Sequence, residues 1–277
     1  MKKYSKYLLF LTLAGLLIMG CTDDSPLVSD QDLIVVWAYL YGGEQLVKIK
    51  LTSTLPLDAD TALAPPINDA AVALINAGQR YDFKPAPGDS GYYQYNGTDL
   101  ILESGDDYEI EITYGDQFVT ARTVIPEQPV AVAINSTRME VPNFDDWSSL
   151  QEWRESGQQE IIVSWEAVDN AWFYVALKNI EENPVAFDFE FKGMGPVEYV
   201  FPPIADNQFE IRMPNITHLG RHKVTVYRVN QEYVDLYESR DQDSRDLNEP
   251  LTNIIGGLGV FTAFNSDNVL INVVEIN

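Results

Sequence analysis

Along most of this chain apolar residues recur at every second position, in short runs. Leu46–Thr52 sets Val47, Ile49 and Leu51 on one side and Lys48, Lys50 and Thr52 on the other. Tyr108–Tyr114 does the same, with Tyr108, Ile110, Ile112 and Tyr114 set against Glu109 and Glu111. A period of two belongs to a strand that buries one face. Leu33–Leu40 is a continuous β-branched and aromatic run, and Gly42-Gly43 separates it from Leu46–Thr52, which predicts a hairpin. Phe118–Ile125 answers Tyr108–Tyr114 across Gly115-Asp116, a second tight turn. Ala70–Ile75 adds another strand, and the clusters at 87–91 and 104–106 punctuate the rest. About seven short strands without a helical period predict an immunoglobulin-like β-sandwich over residues 32–125.

Pro126-Glu127-Gln128-Pro129 is a stiff break. Beyond it a second set of strands is expected at Val130–Ile134, Glu160–Trp165, Trp172–Ile180, Phe187–Phe191, Phe209–Met213, Lys223–Val229 and Val269–Ile276. Ile161–Trp165 followed by Trp172-Phe173-Tyr174-Val175 resembles the entry of a fibronectin type III domain, with a core Trp and then a Tyr-bearing strand. Asp145–Ser156 and Gln231–Arg240 carry a helical period but are short. The expected fold is therefore all-β: two consecutive β-sandwiches, over 32–125 and 130–277, with short helical decorations.

The N-terminus follows another pattern. Lys2, Lys3 and Lys6 precede an apolar run from Leu8 to Met19, too short for the ~20 residues that cross a bilayer. That is the layout of a secretory signal. Ile18-Met19-Gly20-Cys21 resembles a bacterial lipobox, in which the cysteine is lipidated and residues 1–20 are removed. Cys21 is the chain's single cysteine. Several acyl chains, at ~0.8 kcal/mol per buried CH₂, anchor a protein that has no spanning segment. Residues 21–31 then form a polar tether, and Asp23 and Asp24 resemble the surface-export signal of Bacteroidota lipoproteins. The expected location is the outer membrane, lipid-anchored and facing the cell surface, with the periplasmic face as the alternative.

Composition narrows the function. Eighteen basic against 42 acidic residues give a net charge of −24. Removing residues 1–20 takes three lysines and no acid, so the mature chain is more acidic still. Such a chain lacks the cations that a nucleic-acid or anionic-membrane partner demands. One cysteine excludes a disulfide scaffold and a cysteine-rich zinc site.

Candidate chemistry is sparse. His218 and His222 have the helical spacing of zinc ligands, but Gly220 lies between them and the next residues alternate as a strand. Asp241, Asp243, Asp246 and Glu249 are arranged somewhat like a calcium loop. Arg245 and Asp246 occupy a ligand position and the glycine position, so the EF-hand match fails and an irregular site stays open. Paired carboxylates for glycoside hydrolysis need a spatial separation that sequence spacing does not supply. The Gly-x-Ser-x-Gly elbow of a serine hydrolase is missing, and Ile255–Gly259 lacks the spacing of a phosphate-binding loop. Tyr92-Tyr93-Gln94-Tyr95 sends at least one ring outward, a ligand platform or ordinary packing. Asp60-Thr61-Ala62 matches a short O-glycosylation pattern. The expectation is no catalytic residue, no metal ligand and no cofactor; the assigned site residue is Cys21, as the lipidation site.

Taken in order, several segments resemble the Bacteroidota lipoprotein family labelled domain of unknown function 4249. They are Val35–Leu40, Val47–Pro56, Ile67–Leu74, Gly91-Tyr92-Tyr93, Gly105–Ile112 and, late in the chain, Asn253-Ile254-Ile255-Gly256-Gly257-Leu258-Gly259-Val260-Phe261. The last is similar to the family's N-I-x-G-G-x-G-x-F segment. The resemblance implies a non-enzymatic outer-membrane lipoprotein, an accessory binding component of a TonB-dependent transporter of the SusC type, with no catalytic residue to carry over. The alternatives are a structural or adhesive surface lipoprotein and an unrecognised glycan- or peptide-acting enzyme. The expected partners are the membrane, through Cys21, and a TonB-dependent receptor; the ligand stays open.

Overall fold

The computed structural model describes residues 32–43, 46–55, 63–142, 148, 160–186, 197–212, 215–239 and 252–276. The signal segment 1–20, Cys21, the expected strand 187–191, the acidic run 241–249 and, apart from Ser148, the expected helix 145–156 lie outside them.

The alternating runs become strands where expected. Strand β1 (Ile34–Tyr41) pairs antiparallel with β2 (Leu46–Ser53). After them come β3 (Ala71–Asn76), β4 (Gln79–Pro85) and the short β5 (Tyr92–Gln94). The hairpin of β6 (Asp107–Tyr114) and β7 (Gln117–Val124) closes on Gly115-Asp116. Strand β4 bends between two layers. Its first residues pair with β3, whereas Lys84 and Pro85 pair with β5. One layer is thus β1, β2 and β5, the other β4, β3, β6 and β7. Val36, Leu40, Ile49, Leu74, Ile110 and Ile112 meet in the core between them. Each such side chain, fully buried, contributes roughly 1.5–3 kcal/mol.

The later part of the chain builds a second core. Two short strands, β8 (Ala133–Ile134) and β9 (Arg138–Pro142), precede β10 (Ile161–Ser164) and β11 (Trp172–Asn179). Then follow β12 (Glu198–Val200), β13 (Gln208–Ile211), β14 (Gly220–Val229), the helix α1 (Gln231–Ser239) and β15 (Leu258–Ile276). Strands β13, β10 and β8 form a separate three-stranded sheet. It faces β11, β14 and the end of β15 across Val163, Trp165, Phe173, Val224, Val226 and Ile271. The rings of Trp165 and Phe173 lie 5.2 Å apart in that cluster, whereas Tyr174, the tyrosine of the fibronectin-like pattern, packs on the other face.

The strand expected at Val269–Ile276 begins instead at Leu258 and runs through both cores. Leu258–Phe264 pairs parallel with β1, Phe264–Val273 pairs antiparallel with β14, and Asn272–Ile276 pairs parallel with β9. Phe261 and Ala263 therefore belong to the first core, and Ile271 and Val273 to the second. One sheet results, in the order β12-β11-β14-β15-β1-β2-β5-β4-β3-β6-β7, with β9 beside β15. The protein is all-β and sandwich-like, and Leu33–Asn277 forms one compact unit.

Candidate functional site

Where β15 passes from one core to the other, the outer face of the sheet collects aromatic rings. Register forces this: Tyr41 stands opposite Phe264, Phe264 opposite Val229, and Tyr174 opposite Tyr227. Tyr174 and Tyr227 stack at 4.6 Å, Tyr41 and Phe264 approach to 5.1 Å, and Tyr233 of α1 meets Phe264 edge-on at 5.0 Å. Helix α1 lays Val234 on the same cluster. Burial pushes the Tyr174 hydroxyl well above its ordinary pKa, so it stays a neutral phenol. Pairs of this geometry add ~0.5–1.5 kcal/mol each beyond their burial. The cluster joins the two cores mechanically.

Beside it the seam is polar. Asn265, in the middle of β15 and buried, donates from Nδ2 to Ser104 Oγ at 2.9 Å and to the Pro126 carbonyl at 3.0 Å. Gln128 donates to the Ser266 carbonyl. Asn230, just before α1, donates to Thr123 Oγ1 and to the Val124 carbonyl, and Thr123 donates in turn to Glu232 at 3.3 Å. Burial raises the Glu232 pKa. An open cleft of about 440 Å³ lies over this seam, lined among others by Ile101, Glu103, Gln128, Asn265 and Asp267. Its amide and carboxylate groups suit a polar ligand, but Asn265 spends its own hydrogen bonds inside the protein.

The two histidines are buried at the start of β14 and serve the local turn. His222 Nδ1 donates to the Gly220 carbonyl at 3.0 Å, and its Nε2 accepts from Asn179 Nδ2 at 3.3 Å. His218 Nδ1 pairs with Thr217 Oγ1 at 2.8 Å. Burial lowers the His222 pKa, keeping the ring neutral. Among the described residues no group of three or more His, Cys, Asp or Glu side chains could hold a metal ion.

The glycine-rich segment is a threading device. Ile255 exchanges both backbone hydrogen bonds with Thr120 of β7, at 2.8 and 3.0 Å. From there the chain crosses to β1, so a Cβ at Gly257 would meet the Ile34 carbonyl at 2.7 Å. At Gly259, where φ is +103°, a Cβ would be driven into the Val36 carbonyl. Only glycine fits this approach. Asn253 clamps the far side through the backbone of Phe261.

Of the tyrosine platform, Tyr93 is buried, with its hydroxyl donating to the Ile67 carbonyl and accepting from Ala70 N–H, while Tyr92 is exposed beside Lys50. Tyr95 packs edge-on against Tyr81, and its hydroxyl donates to Asp99, which lifts its pKa to about 12. The three rings do not form one surface. Cys21, Asp60-Thr61-Ala62 and Asp241–Glu249 lie outside the described residues. Asn230, Glu232 and Asn265 were not singled out by the sequence; isolated polar residues carry no periodic signal that marks them as seam contacts. No helix among the described residues is long and apolar enough to cross a membrane.

A family model described as "Domain of unknown function (DUF4249)" matches residues 22–268. No curated protein matches. A solved chain described as "Structural insight into host cell surface retention of a 1.5-MDa bacterial ice-binding adhesin" aligns at 14% identity with a TM-score of 0.21. The alignment covers 87% of this chain and 65% of that one, so this chain spans under two thirds of its length.

Proposed function

The chain belongs to the family described as domain of unknown function 4249, and on that premise we propose a non-enzymatic lipoprotein anchored in the outer membrane through Cys21. It faces the cell surface and acts as an accessory binding component of a TonB-dependent transporter of the SusC type. The observation that carries this reading is the single cysteine at the end of a signal-like segment, in Ile18-Met19-Gly20-Cys21, shortly before the first strand. Between Cys21 and Ile34 the chain reaches roughly 45 Å at full extension, so a lipidated Cys21 keeps the folded unit close to the bilayer. The histidines, Tyr174 and Glu232 are engaged in packing and turn contacts, which favours binding over turnover.

A structural or adhesive role is the second reading, favoured by β15. A strand of 19 residues, at ~3.3 Å per residue, carries one core some tens of ångströms beyond the other without a hinge. Detergent extraction of outer membranes followed by pull-down of the tagged full chain separates the two. Recovery of a β-barrel receptor supports the transporter role, and its absence together with retained surface display supports the structural one. Turnover on a glycan and peptide panel would overturn both. Cys21→Ala should release the protein from the membrane fraction; a variant that still fractionates with outer membrane removes the lipoprotein premise.

A further inference from the structure

We infer that the end of the fold where β1 begins is its membrane-facing end, and that Phe118 and Ile255 there rest on the lipid surface. The inference deepens the lipoprotein reading and depends on it. The chain enters the fold at Leu33, whose N–H donates to Thr54 Oγ1 and whose carbonyl accepts from Thr54 N–H. The next residue, Ile34, touches the Gly257 approach, and Val35 stands opposite Leu258 at the start of β15. Ile255 and Phe118 therefore lie at the end from which the tether leaves, while β15 carries the second core away from it.

Both side chains are bare in a way a folding core does not require. Ile255 is 72% exposed and Phe118 58% exposed. They sit on adjacent backbone segments, since Ile255 pairs with Thr120, two residues from Phe118 on the same outer face of β7. Glycines that admit no Cβ pin Ile255 in place, so the apolar tip is presented rigidly.

Charge follows the same axis. Across the outer face of β3, β6 and β7, the rung at this end is Ala71, Thr113 and Phe118, with no charge. Moving away along the strands come Glu111, held by Arg80, and Glu109, paired to Arg122, while the turn at this end carries the exposed Asp116. With two large apolar side chains outward and the anchor attached at the same end, this face fits the surface of a zwitterionic bilayer, the exposed Asp69 and Asp116 lying beside the apolar rung rather than on it.

The test uses the full lipidated chain, in which acylation blocks Cys21. Phe118→Cys, Ile255→Cys and, as the distal control, Leu270→Cys each provide one free thiol for an environment-sensitive NBD label. The proteins are reconstituted on phosphatidylcholine vesicles with and without brominated lipid, and recovered by flotation. All three positions are exposed, and circular dichroism checks that each variant keeps its β-structure. Labels at 118 and 255 should shift to the blue and lose most of their emission with brominated lipid, whereas the label at 270 stays water-like. Floating protein with all three labels water-like overturns the inference and leaves the anchor reading intact. A blue shift that grows with protein density and resists brominated lipid assigns the face to a second copy of the chain and also overturns it. Protein that fails to float, with Cys21 itself taking up label, removes the anchor reading and this inference with it.

Discussion

The side chain of Asn253 binds Phe261 as a neighbouring strand would: its Nδ2 donates to the Phe261 carbonyl at 2.6 Å and its Oδ1 accepts the Phe261 N–H at 3.0 Å. The same amide reaches the Arg122 carbonyl at 3.4 Å. One side chain thus holds the start of β15 beside the edge of β7, where the backbone of Ile255 pairs with Thr120. At Thr120 the edge is covered against stray strands. This gives the segment from Asn253 to Phe261 a physical reason: an amide at one end, glycines for close approach in the middle, and a core phenylalanine at the other.

Asn253→Ala removes two backbone partners at a half-buried position. The expected loss is about 1–3 kcal/mol, because buried groups are left unpaired rather than replaced. Urea denaturation checks it: the midpoint should fall with the slope unchanged. A loss under about 0.5 kcal/mol, the usual range for a surface substitution, would falsify the clamp.

Gly259→Ala should be far more damaging. Its φ of +103° disfavours any side chain, and the new Cβ collides with the Val36 carbonyl near the start of the parallel β1–β15 pair. Gly78, with a φ of +83° but nothing within 4 Å of its Cβ, is the control. We expect Gly259→Ala to cost more than ~4 kcal/mol or to abolish soluble expression, and Gly78→Asn to cost about 1 kcal/mol or less, since Asn tolerates positive φ. Similar thermal midpoints for the two variants would contradict the threading argument.

These two positions mark what was legible in the sequence. An unbroken period of two with one buried face placed β2, β6 and β7, whereas β1 and β3 were legible as short β-branched or apolar runs. No strand was expected over the Gly-rich stretch or Asn265-Ser266-Asp267, yet both lie in or at the start of β15. The polar residues are inside a strand because they serve the seam: Asn265 holds Ser104 and Pro126, and the Ser266 carbonyl takes Gln128. Local patterning cannot report a contact made with residues far away in sequence. Strands β4 and β12 escaped for the opposite reason, since their faces are largely exposed and carry little hydrophobic alternation.

His222 should make the fold acid-sensitive. Burial lowers its pKa in the folded protein; the Gly220 carbonyl opposes that in part, His218 lowers it further, and Glu181 raises it slightly. The unfolded chain therefore takes up a proton first as pH falls below ~6.5, and stability present above that pH is lost progressively down to the depressed folded value. Protonation would also set a donor on Nε2 against Asn179 Nδ2, and Asn179 is fixed in orientation by Glu181 N–H and the Leu219 carbonyl. Thermal melts at pH 8 and pH 5 should differ less for His222→Gln than for the native chain. Equal pH sensitivity in both would count against it.

Glu232 behaves in the opposite sense. Burial raises its folded pKa above the unfolded value, so its favourable contribution belongs to the protonated form at low pH and is lost as pH rises through the folded pKa. At neutral pH the buried carboxylate costs stability that its contact with Thr123 only partly offsets. Glu232→Gln should raise the melting temperature at pH 7 and give no gain near pH 4. A gain at both pH values would point to helix propensity instead.

The segment 126–129 looks like a linker in sequence and should not behave as one. Ile125, Pro126 and Pro129 are buried, Asn265 binds the Pro126 carbonyl, Gln128 binds Ser266, and Glu166 N–H donates to the Val130 carbonyl just beyond. A protease needs several residues extended and free of such contacts, so local opening here must break the seam that β15 shares with both cores. Glutamyl endopeptidase should therefore spare the bond after Glu127 under native conditions, although the Glu127 side chain is exposed. Mass spectrometry of the early fragments reads the result directly. Asn265→Ala, which deletes the hydrogen bond to the Pro126 carbonyl and leaves both cores packed, should convert that bond into an early site. Rapid cleavage after Glu127 in the native chain would mean that the two cores are joined by a working linker, and that β15 alone does not make them one cooperative unit.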